Sequence, residues 1–212
     1  MPNATPPIGR RHLAALALLP AGCAPGAGQA QATGTTPRQI TGPFYPVDWS
    51  GDADADLVRV TGEAAQAQGT VTHLRGRLLA TDGTPLAGAR VEIWQCDAQG
   101  VYRHPRDREA ARDMGFQGRG RMLAGDDGSY AFRTIRPVPY PGRTPHIHVL
   151  VNAPGRRELI TQLYLDGEPG NARDFIFNRL DPAAREAVTL RPIQAERIEA
   201  GAWLAERDII LA

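Results

Sequence analysis

The sequence predicts a mainly β protein: a β-sandwich with long loops and little helix. Three observations lead there. Short runs rich in Val, Ile and Leu recur after residue 70, each bounded by Gly, Pro, Asp or Asn. Glycine (23) and proline (18) are high together, which suits strands joined by shaped turns. Helical patterning is confined to 171–180, with a further turn at 182–186.

The elements follow in order. Residues 41–46, TGPFYP, form a rigid aromatic–proline segment, and 49–56, WSGDADAD, read as loop. Strands are expected at 71–80 and 89–96, with a turn at Asp82-Gly83 between them. Between Tyr102 and Ser129 the chain is charged, glycine-containing and nearly without alternating apolar residues, and so reads as a long loop excursion, 103–121 above all. Asp126-Asp127-Gly128 leads into a strand at 129–135, and strands at 146–151 and 159–165 follow. Residues 202–211 give a final strand pair or an extended edge.

The 212 residues are 42% hydrophobic, enough for one well-buried domain, expected at 33–212. A formal net charge of +1 gives no reason to expect a nucleic-acid partner. No apolar run reaches the roughly 18–20 residues that span a bilayer. Residues 1–32 read as an export leader: Arg10-Arg11, a short apolar run at 13–19, and Ala30-Gln31-Ala32 as cleavage site. The paired arginines are similar to a twin-arginine signal. LPAGC, ending at Cys23, gives a second reading, a lipoprotein box with a lipid anchor. The expected location is therefore exported, either periplasmic or as a membrane-anchored lipoprotein. Cys96 is then the one cysteine left to the mature domain, so no disulfide framework forms.

The chemistry concentrates in RTPHIHVLV, 143–151. In a strand, residues i and i+2 share a face. His146 and His148 thus stand side by side, with Ile147 pointing the other way. Two adjacent imidazoles are either a solvated pair on a strand edge or two ligands to one metal, and imidazole suits Zn, Cu, Fe and Ni alike. Two tyrosines lie at strand ends beside Gly or Pro turns: Tyr102 after AQG, and Tyr140 closing TIRPVPY. A phenol normally keeps its proton up to about pH 10. A hard trivalent cation would drive that proton off. Two phenolates, two neutral imidazoles and a hydroxide would then balance Fe(III). The alternative is two half-buried core tyrosines with their hydroxyls on backbone carbonyls.

Three blocks carry a family resemblance: ARVEIWQCDAQGVYRH, GSYAFRTIRPVPYPGRTPHIHVLV and LITQLYL. The chain resembles the intradiol ring-cleavage dioxygenases, the catechol and protocatechuate family, from TGPFYP to RDIIL. The resemblance implies the family's β-sandwich and a non-haem Fe(III) held by Tyr102, Tyr140, His146 and His148. It implies that Tyr140 also serves as an internal base and that Arg143 is the active-site arginine. Trp94, Gln162, Gly42 and Pro43 match residues that line or wall the substrate pocket. The implied reaction takes a small aromatic diol and O2 and cleaves the ring between the hydroxylated carbons, giving a cis,cis-muconate-type diacid.

Two departures and two rivals stand beside this reading. The six-residue Tyr140–His146 spacing is short for the family. The long helical N-terminal region that dimerises catechol-type members is missing, which leaves a homo-oligomer open. DGTPLAGARVEIW followed by DDGSYAF also resembles transthyretin-like repeats, so a non-enzymatic exported binding module is the first rival. The second is a zinc hydrolase built on the His pair, which would need a third histidine or a carboxylate. Arg133, Arg136 and the 103–121 excursion are candidate cations for a substrate carboxylate.

Overall fold

In the computed structural model, residues 34–108 and 111–212 are described. The leader and Cys23 lie outside them. Ten strands form two sheets. The first holds β1 (Val71–Ala80), β4 (Ser129–Ile135), β8 (Ile193–Gln194), β9 (Trp203–Glu206) and β10 (Ile209–Leu211). The second runs in the order β3 (Arg119–Leu123), β2 (Arg90–Trp94), β5 (His146–Asn152), β6 (Leu159–Leu165), β7 (Thr189–Leu190). Among the described residues no helix is long and apolar enough to cross a membrane.

The sandwich follows from alternation. Leu74 and Leu78 of β1 and Phe132 of β4 meet Val91 and Ile93 of β2, Ile147, Val149 and Val151 of β5, and Leu163 of β6 in one buried cluster. Each such side chain contributes about 1.5–3 kcal/mol of burial. The opposite face of the second sheet is also covered. There Trp94, Cys96, Tyr102 and Leu150 form a separate buried group, with Phe44, Tyr45, Val138, Tyr140 and Ile160 packed against it. β5 is consequently buried on both faces, which is why it reads as a nearly continuous apolar run around two histidines.

Several expectations need correction. The turn at Asp82-Gly83 forms, with Gly83 N donating to Ala80 O at 3.0 Å. It does not make a hairpin, because β1 and β2 enter opposite sheets. β2 stops at Trp94 because the buried Asp97 carboxylate turns the chain, accepting from the backbone N–H of Gln99 (2.9 Å), Val101 (3.0 Å) and Asp113 (2.8 Å). The 103–121 excursion contains most of an unexpected strand, β3. Its sequence RGRML hides the signal because β3 is an edge strand carrying two arginines, Arg121 exposed and Arg119 buried with its guanidinium donating to Ser50 O at 2.7 Å. The helix expected at 171–180 is two 3-10 turns, Pro169–Arg173 and Phe177–Arg179, separated by an extended Asp174. The Asp174 carboxylate accepts from the N–H of Ile176 and Phe177 at 3.0 Å each, a local pairing that competes with helix. Conversely, 182–186 is more than a turn. Asp181 caps a short helix, α1 (Pro182–Ala187), by accepting from Ala184 N at 2.8 Å.

The chain end takes the extended-edge alternative. β9 and β10 lie in succession along one side of β1, both parallel to it, and β4 occupies the other side. The break between them falls at Arg207, whose N–H donates to Arg75 O at 2.9 Å. Arg207 passes so close that a Cβ on Gly76 would stand 1.9 Å from its carbonyl oxygen. Gly76→Ala is therefore expected to destabilise the domain at the upper end of about 1–3 kcal/mol. Urea denaturation checks this; an unchanged midpoint would mean that the strand break yields freely.

Candidate metal centre and active site

Strand register assembles the first row of the site. Trp94 of β2 pairs with His148 of β5, and His148 pairs with Gln162 of β6. All three lie on the outer face of the second sheet. The Trp94 indole stacks on the His148 imidazole at 4.6 Å and 8°. Tyr45 meets Trp94 edge-on at 5.1 Å and donates to the buried Glu92 carboxylate at 2.8 Å.

His146, two residues before His148, brings its Nε2 within 3.2 Å of His148 Nε2. Its Nδ1 donates to the Thr144 carbonyl at 2.7 Å, which leaves the Nε2 lone pair directed at its neighbours. Burial, together with the nearby Arg143 cation, pushes His146 down to about 3. Burial, then His146 and Arg143, hold His148 well below the usual imidazole range. Both rings are therefore neutral, the form that ligates metals.

Tyr102 arrives on the loop that Asp97 organises. Its own N–H donates to Asp107 at 2.8 Å, and its hydroxyl lies 3.4 Å from His146 Nε2. Phe44 stacks on it at 4.7 Å. Tyr140 and Arg143 begin and end the turn YPGR. Pro141 precedes Gly142 at φ 80°, the arrangement of a type II turn, in which the third position needs a left-handed backbone. The turn closes with Arg143 N donating to Tyr140 O at 2.9 Å. It sets the Arg143 Nη1 3.4 Å from the Tyr140 hydroxyl. The Tyr140 ring stands 5.4 Å from that of Tyr102 and 5.5 Å from that of His146. Burial raises both phenols, Tyr102 well above the ordinary value; for Tyr140 the Arg143 cation opposes the rise.

Two phenols and two neutral imidazoles therefore converge from three segments. Donors about 2.1 Å from one ion stand roughly 3–3.4 Å from one another, matching the 3.2 Å and 3.4 Å separations found. His148 Nδ1 is buried without a hydrogen-bond partner, while its Nε2 lies 3.2 Å from His146 Nε2. Among the described residues no group of three His, Cys, Asp or Glu could hold a metal. The third nitrogen or carboxylate of a zinc hydrolase has no counterpart, while a hard, highly charged cation fits a pair of phenolates.

Of the residues expected to line or wall the pocket, Trp94, Gln162 and Gly42 lie beside His148 or Arg143. Arg143 Nη2 donates to Gln162 Oε1 at 2.5 Å, and Gln162 Nε2 donates to Ile40 O at 3.0 Å. A Cβ on Gly42 would be 3.4 Å from His148 Cε1. Pro43 O accepts from Arg106 at 2.5 Å. Residues 34–47 thus form a strap over the site. Arg133 and Arg136 are engaged in ion pairs: Arg133 with Asp56 (3.0 Å) and Glu199 (2.5 Å), and Arg136 with Glu168 (2.6 Å). Asp174, Thr144 and Phe44 belong to the site and were not singled out in the sequence. Phe44 had a signal, the rigid TGPFYP segment, whereas Asp174 sat inside an expected helix.

The family model for dioxygenases matches residues 40–200. The chain belongs to the intradiol dioxygenase family. It is 32% identical over a 206-residue alignment to hydroxyquinol 1,2-dioxygenase of Nocardioides simplex, covering 84% of this chain and 64% of that protein. It is 35% identical over 185 residues to the protocatechuate 3,4-dioxygenase beta chain of Burkholderia cepacia, covering 82% and 78%. A solved structure, the dioxygenase domain of a dioxygenase carbohydrate-binding protein fusion from the cellulolytic bacterium Streptomyces sp. SirexAA-E, superposes with a TM-score of 0.66 at 34% identity, covering 84% of this chain and 98% of that one. This intradiol-family chain spans 48–64% of the length of its hydroxyquinol 1,2-dioxygenase relatives.

Proposed function

We propose that this chain is a non-haem Fe(III) intradiol dioxygenase. It takes a catechol-type diol and O2, and cleaves the ring between the two hydroxylated carbons to give a cis,cis-muconate-type diacid. The observation that carries this reading is the convergence of Tyr102, Tyr140, His146 and His148 beside Arg143. Fe(III) held by these four side chains would supply the Lewis acidity that makes a catechol dianion accessible near neutral pH, and the route for the ring to react with O2.

The side chains divide the remaining work. Tyr140 is the less buried of the two phenols. As a phenolate it can take a substrate hydroxyl proton on its Oη, with Arg143 Nη1 already 3.4 Å away to stabilise the negative form. Arg143 is then a fixed cation beside the ring carbon where negative charge develops, and it needs no reorganisation to act. Tyr102, nearly closed off from solvent, stays as a fixed donor. The His146–Thr144 bond keeps the His146 donor lone pair aimed inward. Phe44 and Gly42 of the strap keep water from the Tyr102 and His148 sides.

A visible absorption spectrum of the iron-replete protein, taken without oxygen before and after adding catechol, tests the reading. A broad tyrosinate-to-iron charge-transfer band that shifts on catechol addition is expected, followed by ring cleavage once O2 enters. A colourless protein that takes up no iron would sink the proposal in favour of a binding module.

A further inference from the structure

The Asp174 side chain is fully buried, and it bonds to two different parts of the site. Its Oδ2 accepts from Arg143 Nε at 2.8 Å and from Thr144 N at 3.0 Å. Its Oδ1 accepts from the N–H of Ile176 and Phe177, at 3.0 Å each. The carboxylate is thus clamped from one side by the loop that carries it, and grips the YPGR turn with the other. Thr144 is held a second time, since its hydroxyl donates to Asn171 at 2.8 Å.

The consequences run in two directions. Arg143 has a long side chain with many rotamers, and its far end must meet both Tyr140 Oη at 3.4 Å and Gln162 Oε1 at 2.5 Å. An Nε held by a carboxylate fixes the plane of the guanidinium, and a charge-assisted bond of that kind is about twice as strong as a neutral one. Thr144, whose N–H meets Asp174, also presents through its next peptide the carbonyl that accepts His146 Nδ1 at 2.7 Å. We propose that Asp174 is a positioning residue: it aims the Arg143 guanidinium at Tyr140 and, by holding the Thr144 backbone, keeps the His146 proton on Nδ1. The Arg143 half of this rests on the ring-cleavage reading above. The geometry of the anchor does not.

The test is a double-mutant cycle with a metal-free readout beside it. Asp174→Asn keeps size and the Oδ1 acceptor but faces Arg143 Nε with an amide donor. In iron-replete protein it is expected to lower kcat about 10–100-fold, the scale of weakening one fixed transition-state donor, with KM changed less than about twofold. Added to Arg143→Ala it should cost far less than it does alone, the remainder being its effect on His146 through Thr144. In the metal-free protein, nitrogen-15 spectra should show a slowly exchanging Arg143 Nε–H. That signal should vanish in Asp174→Asn, while the Arg133 Nε–H, bonded to Glu199 at 2.8 Å, persists. His146 should shift from one tautomer to a mixture. Losses that add in the cycle would overturn the positioning role while leaving the dioxygenase reading intact. A fast-exchanging Arg143 Nε–H in the unmutated protein would overturn it even if Asp174→Asn failed to fold. Wild-type protein that took up no iron on loading and cleaved no catechol, yet kept the protected Nε–H, would sink the dioxygenase reading and leave the anchor standing.

Discussion

His148→Ala protein is expected to bind no iron and to cleave no catechol. His148 is the centre of the row that joins Trp94, His148 and Gln162 across three strands. Its Nε2 is within 3.2 Å of that of His146, so its loss removes one of two neutral nitrogens from the proposed donor set. The remaining imidazole and two phenols would have to hold the ion with an open side against the strap. The fold should survive, because the sandwich core uses the other face of β5 through Ile147, Val149 and Val151. A buried ring replaced by a methyl group leaves a cavity beside Trp94, at a stability cost of about 2–4 kcal/mol. Metal analysis should give near-zero iron per chain alongside a cooperative thermal transition at lowered temperature. Iron retained with its visible band would remove His148 from the donor set.

Arg143→Ala should separate binding from chemistry. Iron and the visible band are expected to stay, since Arg143 is not among the proposed donors. Turnover is expected to fall by about 10²–10³-fold, the usual loss when one fixed donor to developing charge is removed. Stability should fall too, for a different reason. The Asp174 carboxylate is buried, and its cation partner sits 2.8 Å away. Removing one partner of a buried pair typically costs about 3–5 kcal/mol, because the other charge is left behind. The pH dependence follows. Burial works to raise Asp174, but the N–H groups of Phe177 and Thr144, with Arg143, outweigh it and hold the carboxyl below its ordinary value. A carboxyl lowered in the folded state stabilises above its unfolded pKa, and that contribution is lost as pH falls through the folded one. Without Arg143 the folded value rises, so acid destabilisation should begin at higher pH than in the unmutated protein. Thermal melts across an acid series would show this, and parallel curves would refute it.

The sequence made legible whatever depended on short-range pattern. Alternation alone put His146 and His148 on one face of β5 and Ile147 on the other. β1, β4 and β6 read correctly because both their ends carry Gly, Pro or Asp turns. The proposed donors Tyr102 and Tyr140 came from a family resemblance, since a lone tyrosine at a strand end is equally a core residue. β3 was hidden because an edge strand with two arginines, one exposed and one buried, has no apolar alternation to see. Asp174 was hidden for a deeper reason. Its partners Arg143 and Thr144 lie 31 and 30 positions away, and nothing in the local run DFIF distinguishes a carboxylate turned inward from one facing water. The split of β1 and β2 between sheets was likewise invisible, because an Asp-Gly turn is the same whether the next strand pairs back or crosses over.

The strap also sets an order of assembly. Thr36 N donates to Ile210 O at 2.9 Å, and Ile210 N returns the bond to the Thr36 hydroxyl at 2.9 Å across 174 positions of sequence. The start of the strap is therefore tied to a strand made 174 positions later. Residues 34–47 also fasten to β6, where Gln39 N donates to Ile160 O at 2.8 Å and Gln162 Nε2 donates to Ile40 O at 3.0 Å, so the wall that Phe44 and Gly42 provide can close only once β6 has formed. Contacts this distant in sequence form late, since the intervening chain must already be ordered to bring them together. A nascent chain that has not yet paired β6 would thus display its imidazoles and phenols on an unroofed sheet.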